Sequence, residues 1–139
     1  MALTVAEGVA APLVASGRMG EDRGDWREIG EPERRLAAAI IESSGVTGWE
    51  NLVEDLQGAL VRNEADWVLD LRPQCSNAGA DVPDGPLSVA AYVPNLEAFE
   101  GEILIWIDAG HVSGIEYAWV TDEPPTLWPD SELIQIIPD

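Results

Sequence analysis

The chain has 139 residues, 46% of them apolar and 24% charged, which fits one soluble globular domain and excludes a disordered or fibrous chain. Its 26 acidic residues face seven arginines and no lysine, a formal net charge of −19, so its surface repels nucleic acid and anionic membranes and attracts basic partners. A single cysteine, Cys75, excludes an internal disulfide framework and any multi-cysteine zinc site, and a reducing cytoplasm is the expected compartment.

Residues 1–17 are apolar and rich in Ala and Val, but they lack a basic start, and Glu7, Gly8 and Pro12 interrupt them, so they do not read as a signal peptide. No stretch reaches the length of a membrane-spanning helix. Residues 18–31 are charged and punctuated by glycine, which predicts a loop anchored by Trp26. Residues 1–30 are thus expected to be an arm or loop, and residues 31–139 a single domain.

The first helix is expected over residues 31–45. Pro32 suits the first turn, Glu31 and Glu33 complement the helix dipole, and Gly45 is a natural stop. Leu36, Ala37, Ile40 and Ile41 give it one apolar face. A second helix is expected over residues 47–63. Thr47 and Glu50 have capping-box spacing, and Trp49, Leu52, Val53, Leu56 and Leu60 recur at helical intervals. On this reading Asn51, Glu54 and Asp55 face water, and Arg62 sits at the helix end.

Strands follow. Residues 66–73 alternate Trp67, Leu69 and Leu71 against Val68 and Asp70, and residues 87–94 form a second strand ended by Pro94. Between them, residues 75–86 are turn-rich and predict a loop. Residues 101–108 are apolar on both faces and belong in the middle of a sheet. Asp108, Ala109 and Gly110 predict a type I turn with a left-handed glycine, leading into a strand over residues 112–120. Residues 132–138 make a last strand. Helices first and strands afterwards predict an α+β fold, with two N-terminal helices packed on an antiparallel sheet of four to five strands.

The chemistry available is narrow. The chain has one histidine, His111, beside the predicted turn, where a solvated side chain is expected. With no lysine, and Cys75 in a loop near only Arg72, no activated nucleophile is visible. No phosphate-binding glycine loop and no calcium-loop spacing occur, and no cofactor or metal is expected. Asp122 and Glu123 could form a carboxylate pair or simply a solvated acidic loop. Glu116 lies mid-strand between apolar neighbours. Buried, it needs a partner such as Arg62 or Arg72; open, it belongs to a binding surface. Trp49, Trp67 and Trp106 fall on apolar faces and read as core. Trp119 and Trp128 flank the acidic segment, as at a hot spot for a basic partner, or else they close a core edge.

Gly110, Val112, Ser113, Ile115, Glu116, Pro124, Pro125, Trp128 and Pro129 carry a resemblance. This C-terminal stretch resembles a family of small acidic actinobacterial proteins that look like immunity proteins paired with secreted toxins. Relatives often carry a Cys- and Gly-rich strand upstream, where this chain has only Cys75 to Ala80. The resemblance implies a cytoplasmic, non-catalytic protein that neutralises a basic toxin domain by occluding it. Glu116, Trp119, Asp122, Glu123, Trp128 and Asp130 are the expected partner-binding residues. The alternatives are a hydrolase using Glu116 with Asp122 or Glu123 on a polar small molecule, and a structural subunit that dimerises through a sheet edge. The oligomeric state is left open.

Overall fold

The computed structural model describes residues 25–94 and 99–138. Their fold is α+β, with two helices against an antiparallel sheet of eight strands.

Helix α1 spans Glu31–Ser44, close to expectation. The Gly30 N–H donates to Glu33 Oε1 at 2.8 Å, so Glu33 satisfies one orphan donor at the helix start. Gly45 ends the helix at φ 74°, a left-handed conformation open to glycine. Leu36, Ala37, Ile40 and Ile41 are buried.

Helix α2 is much shorter than the sequence suggested, Trp49–Asp55. Gly48, rather than Thr47, is its N-cap, and no side chain caps it. The chain turns at Gly58, φ 63°, and strand β2 begins at Leu60. The apolar spacing of Leu52, Leu56 and Leu60 mimics a continuing helix, but Leu60 belongs to a strand. Arg62 therefore lies on β2 and pairs across to Asp70 at 2.9 Å instead of sitting at a helix end.

The strands are β1 (Arg27–Glu28), β2 (Leu60–Ala65), β3 (Val68–Arg72), β4 (Gly85–Pro86), β5 (Val89–Pro94), β6 (Phe99–Asp108), β7 (His111–Trp119) and β8 (Gln135–Pro138). Their order across the sheet is β1-β2-β3-β7-β6-β5-β8, with β4 also paired to β6. The five expected strands are present. The other three are β1, in the segment read as an arm; β2, read as helix; and β4. Both β4 and β5 pair with β6, and the Val89 N–H donates to the Leu87 carbonyl where the run along β6 breaks between them. The expected last strand is shorter, because Ser131–Leu133 forms a 3₁₀ turn.

The β6–β7 hairpin closes through Ala109 and Gly110, with Asp108 opposite His111. Both turn residues have positive φ, 54° and 83°, the arrangement of a two-residue type I′ loop and not of the expected type I turn. The register shifts between Trp106 and Ile107, where Gly114 and Val112 are the successive partners. Ser113 is the extra residue of this bulge.

Alternation divides the sheet cleanly. Val61, Leu69, Ile115, Ile105, Ile103 and Ala91 point to the face covered by both helices and share one buried core with Leu36, Ile40, Leu52 and Leu56. Helix α1 lies towards β5, β8 and the 3₁₀ turn, and α2 towards β7. Among the described residues no helix is long and apolar enough to cross a membrane.

Candidate functional site

The second face of the sheet is half-buried and carries a different set of side chains. On β7 it presents Gly114, Glu116 and Ala118, and on β6 Glu102, Leu104 and Trp106. Glu116 stands opposite Leu104 on one side and Val68 on the other. Trp106 stands opposite Gly114, which offers no side chain, and its Nε1–H donates to Glu116 Oε1 at 3.1 Å. Burial pushes the Glu116 carboxyl above its ordinary value, and the indole hydrogen bond only partly offsets that. Burial also raises Glu102.

The same face is finished differently towards β1. Asp70, Arg62 and Trp26 form a carboxylate–guanidinium–indole stack. Arg62 donates to Asp70 Oδ2 through Nη2, and its guanidinium lies 4.7 Å from the Trp26 ring centroid. Arg72 lies over the same ring at 4.0 Å. Trp26 is thus an anchor, as expected, but on arginines. Glu116 pairs with neither Arg62 nor Arg72; its partner is Trp106, which the sequence assigned to the core. The signal was available: Trp106 shares its strand parity with Glu102, whereas Ile103, Ile105 and Ile107 occupy the other parity.

The remaining expected partner-binding residues lie elsewhere. Trp119 points to the helix-covered face and meets Trp67 edge-on, ring centroids 5.9 Å apart. Trp128 packs on Tyr117 at 6.4 Å, and both tryptophans lean on the core, closing its edge. Burial and the neighbouring Glu100 carboxylate push the Tyr117 phenol up to about 12. Asp122, Glu123 and Asp130 are exposed in the segment after β7; Asp130 caps the 3₁₀ turn by accepting from the Glu132 N–H. The exposed Leu127 lies in the same segment. Glu116 and the two tryptophans are therefore on opposite faces and do not form one site.

His111 also departs from expectation. Its Nδ1 lies 3.1 Å from Asp55 Oδ1, and Asp55 is fully buried rather than water-facing. Asp55 also accepts from the Val112 N–H at 3.0 Å and from Asn77 Nδ2 at 2.9 Å. Asn51 donates to the Gly79 carbonyl, so the 75–84 loop is tied to α2 at two points. A nucleophile poised on His111 is not seen among these contacts, and the arrangement serves as a structural clasp. Cys75 Sγ lies 3.6 Å from the Gln57 carbonyl. Among the described residues no group of three or more His, Cys, Asp or Glu could hold a metal ion.

No protein-family model, no curated protein and no solved structure matches this chain.

Proposed function

We propose that the chain is a non-catalytic acidic binding protein of the cytoplasm, an immunity protein or antitoxin that occludes a basic toxin domain. The observation that carries this reading is the segregation of charge. All five described arginines are engaged within the chain: Arg27 by Glu33, Arg34 and Arg35 by Glu31, Arg62 by Asp70 and Trp26, and Arg72 by Trp26. Residues 73–139 hold twelve acids and no arginine or lysine. A field of this kind accelerates capture of a cationic protein, and its desolvated aromatic residues slow release.

The test is inhibition of a basic toxin domain by the purified chain, with association followed by stopped flow at low and high salt. The association rate should fall by about 10-fold or more as salt screens the field. Failure to inhibit any such domain, or a rate indifferent to salt, refutes the reading. The raised carboxylates Glu116 and Glu102 support a second reading, acid–base hydrolysis of a polar small molecule. Turnover of a glycoside or ester panel that disappears in Glu116→Gln would favour it.

A further inference from the structure

The half-buried sheet face contains the same device twice, once complete and once missing a part. Near β1 a carboxylate, a guanidinium and an indole come together as Asp70, Arg62 and Trp26, with Arg72 over the same indole. Across β7 a carboxylate and an indole come together as Glu116 and Trp106, and among the described residues no guanidinium joins them. Of the strands beside them only β3 carries one, Arg72, which is already engaged over Trp26, and residues 73–139 contain neither arginine nor lysine. Glu116 is accordingly a half-buried carboxylate whose hydrogen-bond partner among the described residues is one neutral indole N–H, where a partly desolvated carboxylate is better served by a cation. A second carboxylate, Glu102, projects from the same face, diagonal to Glu116 across the β6–β7 pair.

We infer that the Trp106–Glu116 pair is the seat of an arginine side chain presented by the basic partner, and that this face, not the Trp119–Trp128 edge, is the docking surface. The inference rests on the binding reading above. A planar guanidinium can lie against the indole while its N–H groups reach the Glu116 oxygens, as Arg62 does between Trp26 and Asp70. Leu104 and Val68 flank the carboxylate on its two sides as apolar neighbours, and Glu102 supplies a second charge for a neighbouring basic residue. A lysine fits less well, since a compact ammonium cannot both stack and fork.

The experiment is a titration of the full ¹⁵N-labelled chain with a short capped arginine peptide and with its lysine and glutamate counterparts. The readout is the Trp106 indole N–H resonance, assigned with Trp106→Phe. The expected result is a saturable shift of that resonance and of the Val68 and Leu104 amides, about 3-fold weaker with the lysine peptide and absent with glutamate. Glu116→Gln keeps an acceptor for the indole, so its spectrum should stay folded while arginine affinity falls about 10-fold.

Shifts confined to residues 122–132 or to Trp119 and Trp128, with Trp106 unmoved, overturn the inference and leave the acidic binding function standing. No response to any basic peptide overturns the inference, while salt-dependent toxin inhibition separately decides the function. A Trp106 resonance that moves in Arg18→Gln plus Arg23→Gln without peptide would assign the seat to the chain's own cations. One that moves with protein concentration alone would assign the face to a second copy. Either result overturns a partner's arginine.

Discussion

Asp55 is fully buried at the end of α2, and it receives hydrogen bonds from three directions. Removing its carboxylate strands the Val112 N–H and the Asn77 amide and leaves His111 without its buried acceptor. Asp55→Ala should therefore destabilise the fold by about 3 kcal/mol, and His111→Ala, at a half-exposed position, by about 1 kcal/mol, both read from urea unfolding. Glu116 acts in the opposite sense. Its folded-state carboxyl lies above the ordinary 4.5, so the native state binds a proton more tightly than the unfolded chain. The stability linked to it is complete below that ordinary value and is lost as pH rises through the raised one. Glu116→Gln should melt higher than the parent chain at neutral pH, with the difference closing by about pH 4. An equal difference at both pH values would show that burial of charge is not the cause. Neither residue was readable in its role from the sequence. Asp55 finds its partners 22 and 56 positions away, and helical spacing alone sent it to the solvent side.

Among the elements, α1 was legible because every local signal agreed: Pro32 at the start, Gly45 at the end and one apolar face between. The α2–β2 passage was not, because Leu56 and Leu60 keep helical spacing across the break. The break is carried by Gly58, whose left-handed backbone could have been suspected from the Gln57-Gly58 pair alone. The two faces of β6 were legible as apolar, but which face the helices cover depends on their packing, and that choice decides whether Trp106 is core or surface. The β6–β7 pair also contains a close approach. A Cβ at Gly101 would lie 2.6 Å from the Ala118 carbonyl oxygen and 2.7 Å from the Tyr117 ring. Gly101→Ala must therefore push the strand backbone or the Tyr117 ring, at a cost of about 2 kcal/mol in urea unfolding. The near-ultraviolet circular dichroism of the Tyr117–Trp128 contact should weaken with it. An unchanged spectrum and midpoint would mean that the strands separate without cost.

For the molecule as a whole, charge dominates. The arginines of the sheet are gathered on β1, β2 and β3, while β6, β7 and the segment before β8 carry acids without arginine and β4, β5 and β8 carry no charged side chain. A chain at −19 repels itself when folded, and surface pairs such as Glu31 with Arg34 contribute little against that. Raising salt from low to physiological strength should increase the melting temperature by about 5 °C, as measured by calorimetry. A decrease would mean that the ion pairs outweigh the repulsion. The imbalance and its weighting towards residues 73–139 were legible from the sequence, but its place in the sheet was not, because strand order sets β7 between β3 and β6 and so puts the charge-balanced strands β1 to β3 beside the acidic β6–β7 pair.

The clasp around Asp55 joins α2, the 75–84 loop and the tip of the β6–β7 hairpin, three places that are far apart along the chain. Such a fastener can engage only after the hairpin has formed and the helix has docked, so it closes near the end of folding. Loosening it should leave the speed of folding almost untouched and shorten the lifetime of the native molecule. The carboxylate sunk beneath the helix thus acts on how long the acidic face persists once made.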